Sequence, residues 1–186
     1  MLKHELRKIY KEKRNAISPF FISEKSIQIT NNVLKLPIWR FDYFHIFLSI
    51  KRKKEVDTQP LITLLQGKDK NIIIPKMIGD NSLKNYLLTD STPLKENHLG
   101  VPEPIEGIEV PEEKLQVVFM PLLAFDLFGN RVGYGKGYYD HFLKKCNSNI
   151  IKIGLSFFEA EKIIADTNEN DVRLNFCITP DKVYEF

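Results

Sequence analysis

Cysteine is scarce in this chain of 186 residues: only Cys146 and Cys177 occur, with no Cys-x-x-Cys pair and no histidine-rich segment beside them. That argues against a disulfide framework and against a zinc site. Long apolar runs are missing too, and nothing approaches the roughly 18 residues of a membrane span. The charged, amphipathic N-terminal segment lacks the apolar core of a signal peptide. Charge of one sign is not in large excess: the net charge is +3, too small to argue for nucleic acid by itself. No internal repeat or low-complexity stretch is found. These absences predict a protein of a reducing, cytoplasmic compartment with no membrane or nucleic-acid partner. The lack of an obvious apolar stripe makes a monomer the expectation.

What is present is ordinary in bulk and uneven in detail. Apolar residues are 43% and charged residues 27%, as in a soluble globular protein. The length suits one compact domain, residues 1–186, that buries about 70% of the surface of its unfolded chain. Thirteen Phe and seven Tyr make flat pockets plausible. Residues 1–17 hold six cations (Lys3, Arg7, Lys8, Lys11, Lys13, Arg14) against Glu5 and Glu12. Lys51-Arg52-Lys53-Lys54 is a second basic run. Either cluster can be simply a solvated face.

In chain order, Leu2, Leu6, Ile9 and Tyr10 recur at helical spacing and predict an amphipathic first helix. Lys3 and Arg7, four apart, share a face and can clamp an anion or stay exposed. Ser18-Pro19 predicts an N-cap and first turn of a second helix running to about Leu34, with Ile27, Val33 and Leu34 inward. Strands are expected at Phe44–Ile50, Ile72–Ile74 (stopped by Pro75), Leu83–Leu88, Gln116–Met120, Ile150–Leu155 and Phe176–Thr179. Helices are expected at Thr58–Gln66 and Ala160–Ala165, and a tail at Lys182–Phe186. This alternation predicts a layered α/β fold. Pro93, Pro102, Pro104 and Pro111 exclude a long helix over 93–111, which reads as an ordered loop or flap.

The stretch from Asn130 to Asp140 (NRVGYGKGYYD) carries Gly133, Gly135 and Gly137 at alternate positions. Such glycines let backbone amides converge on an anion. Lys136 adds a point charge, Arg131 another at the entry, and Asp140 a carboxylate suited to a magnesium ion bridging to phosphates. The P-loop pattern fails, because Asn130 stands where its first glycine belongs and Gly137 replaces its Ser or Thr. The dinucleotide fingerprint fails as well, since its third glycine falls at Tyr138. A tight turn with Tyr138 and Tyr139 in the core is the bland alternative.

The longer string Met120-Pro121-Leu122-Leu123-Ala124-Phe125-Asp126, then Gly129, Arg131 and Gly133 to Asp140, resembles the signature of the 5-formyltetrahydrofolate cyclo-ligase family. Lys3 with Leu6-Arg7, Glu55-Val56-Asp57-Thr58, Gly100-Val101-Pro102-Glu103-Pro104, Gly154-Leu155, Asp171 and Ile178-Thr179 match further landmarks in order, so the resemblance spans nearly the whole chain. Departures are the basic run before Glu55, and Leu99, Ala160, Asp166 and Asn170 at positions where many members carry other residues. They touch details of the folate pocket and leave the glycine loop intact.

The resemblance implies a three-layer α/β/α sandwich around a central, mostly parallel (mixed) sheet, similar to the sugar-phosphate isomerase and CoA-transferase architecture. It implies ATP-driven cyclisation of 5-formyltetrahydrofolate to 5,10-methenyltetrahydrofolate, with magnesium. Phosphorylation of the formyl oxygen makes it a leaving group, and N10 then attacks the activated carbon. Lys3, Arg7, Arg131, Gly133, Tyr134, Gly135, Lys136, Gly137, Tyr138 and Tyr139 are expected around ATP. Lys136, Arg131 and Tyr139 are the expected catalytic residues, and Asp140 and Asp171 the metal ligands. Glu55 is expected on the pterin, with Ile50, Leu99 and Tyr139 lining the folate pocket. The cations at 51–54 are candidates for a polyglutamate tail. Two other readings stay open: a sugar-phosphate isomerase or CoA-transferase-like enzyme, which needs no ATP, and a non-enzymatic nucleic-acid binder using the basic first helix.

Overall fold

A computed structural model of the chain describes residues 1–79 and 81–186. Seven strands form one sheet: β1 (Tyr43–Ile46), β2 (Asn71–Ile78), β3 (Ser82–Leu87), β6 (Val117–Pro121), β9 (Ile151–Leu155), β10 (Phe176–Ile178) and β11 (Val183–Glu185). Two small hairpins, β4 (Leu94–Glu96) with β5 (Pro102–Pro104) and β7 (Ala124–Phe125) with β8 (Arg131–Val132), lie outside it. The order is β11-β10-β9-β6-β1-β2-β3, parallel from β10 to β2 and antiparallel at both edges. The fold is α/β with a mixed, mainly parallel sheet.

The parallel strands are apolar on both faces, which is what burial between layers requires. One face carries Phe44, Ile46, Ile72, Ile74, Val117, Phe119 and Ile153 against α2 (Pro19–Val33) and α3 (Gln59–Gly67). The other carries Ile73, Val118, Met120 and Cys177 under Phe142 and Leu143 of α4 (Tyr138–Leu143), with Phe125 from the hairpin. The first helix, α1 (Lys3–Ala16), seats Leu6 and Tyr10 on Leu123, Ala124 and Val132. No helix among the described residues is long and apolar enough to cross a membrane.

Four local expectations change. In α2, Ile27 and Leu34 are 49% and 43% exposed. The inward stripe runs through Ser26, Ile29, Thr30 and Val33, and its two polar members are satisfied inside the fold: Ser26 Oγ accepts from Asp57 N at 2.8 Å and Thr30 Oγ1 donates to Ser26 O at 2.9 Å. Pro75 does not stop β2, because pairing with β1 ends at Ile73 and only β3 accompanies the strand beyond it. Residues 160–165 form no helix. Their backbone is taken by the β7–β8 hairpin instead, with Glu161 N on Phe125 O at 2.8 Å and Ile164 N on Asp126 Oδ2 at 3.0 Å. The expected tail is the edge strand β11.

His45 points into the second face, fully buried beside Phe142 at 4.7 Å between ring centroids, and neither ring nitrogen has a hydrogen-bond partner among the described residues. Burial lowers its pKa to about 3. An unfolded chain protonates this imidazole near pH 6.5, so the folded form loses relative stability as pH falls from there towards 3, by roughly 2 kcal/mol at pH 5. Urea melts at pH 7 and pH 5 should therefore show a smaller acid loss for His45→Leu than for the wild-type chain. An equal loss would place the acid sensitivity elsewhere.

Candidate active site

The chain leaves β1 at Ile46, runs through Phe47 and Leu48, and does not extend the strand to Ile50 as the sequence suggested. This is where strand order reverses, since β2 continues to one side of β1 and β6 returns on the other. In open α/β sheets the crevice outside the carboxyl ends of the strands at such a point is the usual ligand site. Here it is a cavity of about 610 Å³, walled by Phe47, Pro75, Met77 and Pro121 at those strand ends. Every site residue expected from sequence lines it: Lys3 and Arg7 of α1, Ile50, Glu55, Leu99, Arg131, the loop from Gly133 to Gly137, and Tyr138, Tyr139, Asp140 and Asp171.

The glycine loop leaves from β8 rather than from the long strand β6, and ends at the first turn of α4. Gly135 (φ +96°) and Gly137 (φ +71°) are in the left-handed region, so side chains there would strain the turn. Arg7 lies across the loop: its Nε donates to Gly133 O at 3.0 Å, and a Cβ on Gly135 would stand 3.4 Å from its guanidinium. Lys136 is exposed and makes no hydrogen bond or ion pair among the described residues, so its ammonium is available to a ligand.

Several other charges are already held. Arg131 is buried, donates to Asp140 Oδ1 at 2.7 Å and to Val172 O, and so ties α4 to the 171–172 segment. In this conformation it orients Asp140 instead of offering a free guanidinium. Lys3 Nζ is paired with Asp171 Oδ2, which also accepts from Asn168 N at 2.8 Å. Asp140 Oδ2 and Asp171 Oδ1 make no hydrogen bond among the described residues, so one oxygen of each cavity-lining carboxylate is without a protein donor. No cluster of three or more His, Cys, Asp or Glu suited to a metal exists among the described residues. Magnesium does not need one, because it takes one or two carboxylates and keeps waters and phosphate oxygens for the rest.

Glu55 is 4% exposed. Burial raises its pKa, opposed by the donors it accepts from: Tyr134 OH on Oε1 at 2.6 Å and Ile50 N on Oε2 at 2.7 Å. Tyr134 thus turns away from the loop to reach Glu55, and its ring carries the Lys53 ammonium at 4.1 Å. Sequence reasoning missed Arg14, Phe47 and Met77, and named Lys53 only as one of the run at 51–54. Arg14 had a signal, since it follows Leu6 and Tyr10 at four-residue steps on the buried stripe of α1. Of the basic run only Arg52 and Lys53 line the cavity, and Lys54 Nζ instead donates to Asn15 O and Ile17 O at 2.8 and 2.6 Å.

A Schizosaccharomyces pombe protein named as a probable 5-formyltetrahydrofolate cyclo-ligase is 32% identical, over 97% of this chain and 96% of its own. An Escherichia coli 5-formyltetrahydrofolate cyclo-ligase is 29% identical over 95% and 99%. The solved structure of Aquifex aeolicus 5,10-methenyltetrahydrofolate synthetase superposes with a TM-score of 0.83 at 33% identity, covering 100% of this chain and 93% of that one. The family model for these enzymes matches residues 1–180, and the chain belongs to the 5-formyltetrahydrofolate cyclo-ligase family.

Proposed function

We propose that the chain is a cytoplasmic, monomeric enzyme that cyclises 5-formyltetrahydrofolate to 5,10-methenyltetrahydrofolate at the expense of ATP. The observation that carries this reading is one cavity holding both a glycine loop, whose Lys136 has no partner among the described residues, and a buried, hydrogen-bonded Glu55. An isomerase or CoA transferase needs no such pairing of a phosphate cradle with a deep carboxylate.

The formyl oxygen attacks the γ-phosphorus, the bond to the β,γ-bridging oxygen breaks, and ADP leaves. N10 then bonds to the formyl carbon and loses its proton, while the carbon–oxygen bond breaks and phosphate carries the oxygen away. The protein's part is positioning and charge stabilisation. Lys136, Arg7 and the loop amides hold the phosphates. Glu55 accepts the paired N–H donors of the aminopyrimidine. Tyr139, Ile50 and Leu99 border the folate. Asp140 and Asp171 would hold a magnesium ion, which supplies charge neutralisation on the phosphates when bound. Behind Tyr134, a recess of about 330 Å³ is lined by Lys11, Arg14, Arg52, Lys53 and Lys136 with no carboxylate, which suits the anionic tail of a polyglutamylated substrate.

The test follows methenyl product by absorbance and ADP by a coupled assay. Product should form only with Mg-ATP, one ADP per turnover, and the substrate KM should be lower for a triglutamate than for a monoglutamate. No ADP release with 5-formyltetrahydrofolate would overturn the activity, and equal KM values would remove the tail site.

A further inference from the structure

Arg14 is the one arginine of α1 whose side chain is buried, at 3% exposure, and it has no carboxylate partner among the described residues. Its Nη1 donates to Tyr134 OH at 2.7 Å and its Nη2 to Leu122 O. A guanidinium has donors only, so the phenol oxygen must accept from it. The phenol has a single proton, and with its oxygen facing Arg14 that proton is left for Glu55, 2.6 Å away. Ile50 N fixes the other carboxylate oxygen. Arg14 therefore sets the direction of the whole chain of bonds, and the end of the chain is a Glu55 with both oxygens accepting.

We propose that Arg14 is a positioning residue for substrate recognition, acting through the Tyr134 hydroxyl to keep Glu55 an ionised acceptor facing the pterin. The inference rests on the proposed pairing of Glu55 with the aminopyrimidine, whose N–H groups need an acceptor. A protonated Glu55 would present its own O–H to those donors. Burial favours that protonated form, and the groups opposing it are Tyr134, Ile50 N, Arg14 and Lys53. Burial and the nearby carboxylate raise the Tyr134 pKa, so the phenol keeps the proton it donates. Burial and, after it, the Glu55 charge raise the Tyr139 pKa, so that phenol keeps its proton as well. Arg14 supplies both a charge and the orientation of the Tyr134 hydroxyl.

Steady-state kinetics on Arg14→Gln, Arg14→Lys, Tyr134→Phe and Glu55→Gln, with monoglutamyl 5-formyltetrahydrofolate so that tail contacts do not contribute, test this. Arg14→Gln and Tyr134→Phe should raise the folate KM about ten- to a hundredfold at pH 6.5, the size of one lost charge-linked hydrogen bond. The ATP KM should stay within about twofold, because the Tyr134 hydroxyl turns away from the loop and bonds to Glu55 and Arg14. The folate KM of both variants should then fall as pH is raised, because a higher pH restores the ionised carboxylate that burial disfavours, while Arg14→Lys should recover part of the affinity. A raised KM with no pH dependence would mark Arg14 as structural only and overturn the proposal, and so would an unchanged KM. Tyr134→Phe removes one oxygen and carries the test if Arg14 variants fold poorly. If Glu55→Gln leaves the folate KM unaltered, the pterin reading itself fails. If Glu55→Gln raises it and the Arg14 and Tyr134 variants do not, only the relay fails.

Discussion

Lys136→Ala should lower kcat for methenyl formation about 10²- to 10³-fold while the protein stays folded. Charge develops on the transferred phosphoryl group, and a cation placed there in advance is worth far more in an enclosed site than in water. Lys136 is the suited cation because it is uncommitted. Arg131 is bonded to Asp140 and Val172 O, Lys3 to Asp171, and Arg7 Nε to Gly133 O. The side chain is exposed and packs on nothing that folding needs, so circular dichroism and the melting temperature should be unchanged. Arginine is not an equivalent replacement, since its rigid fork would have to fit between two glycines in left-handed conformations. A rate within tenfold of wild type in Lys136→Ala would remove the loop from the chemistry and leave Arg7 as the principal phosphate ligand.

The fold was legible where burial makes the pattern simple. Ile72–Ile74 and Val117–Met120 sit between two layers, so they read as unbroken apolar runs. It was not legible where long-range pairing decides. Residues 160–165 have helix-forming letters, yet Phe125 and Asp126, some 35 to 40 positions earlier, take their backbone bonds. The inward face of α2 escaped because Ser26 and Thr30 are polar letters whose hydroxyls are satisfied inside the fold. At the site, the matched string named the residues that face the cavity. It could not say how they are coupled. Tyr134 looked like part of the phosphate cradle, and only the structure shows its hydroxyl on Glu55, 79 positions away. Arg131 looked like a phosphate ligand, and its burial against Asp140 makes it a brace.

Gly154→Ala should be the most damaging single methyl group in the fold. Gly154 lies in β9, opposite Met120 of β6 and Cys177 of β10. An added Cβ would stand 2.5 Å from Leu122 Cδ2, 2.9 Å from Leu174 Cδ1 and 3.2 Å from Cys177 Sγ. All three neighbours belong to one buried cluster, so none can swing into solvent. Overpacking of this kind costs about 1–3 kcal/mol, which for a chain of this size lowers Tm by roughly 3–10 °C. The damage should also reach the site. Leu122 O is an acceptor for Arg14, and Leu174 N bonds to Gly129 O at 2.9 Å, three residues beyond Asp171. Pushing both leucines outward shifts the supports of Glu55 and of the proposed metal carboxylate together, so the KM values for folate and for ATP should both rise below the melting temperature. Leu122→Val in the same chain removes a methylene facing the new methyl and should restore part of the stability, giving a coupling energy of opposite sign to the single losses. A Tm unchanged by Gly154→Ala would mean that the two leucines repack freely, and the close approach of β9 to the hairpin would then not be what holds the site in place.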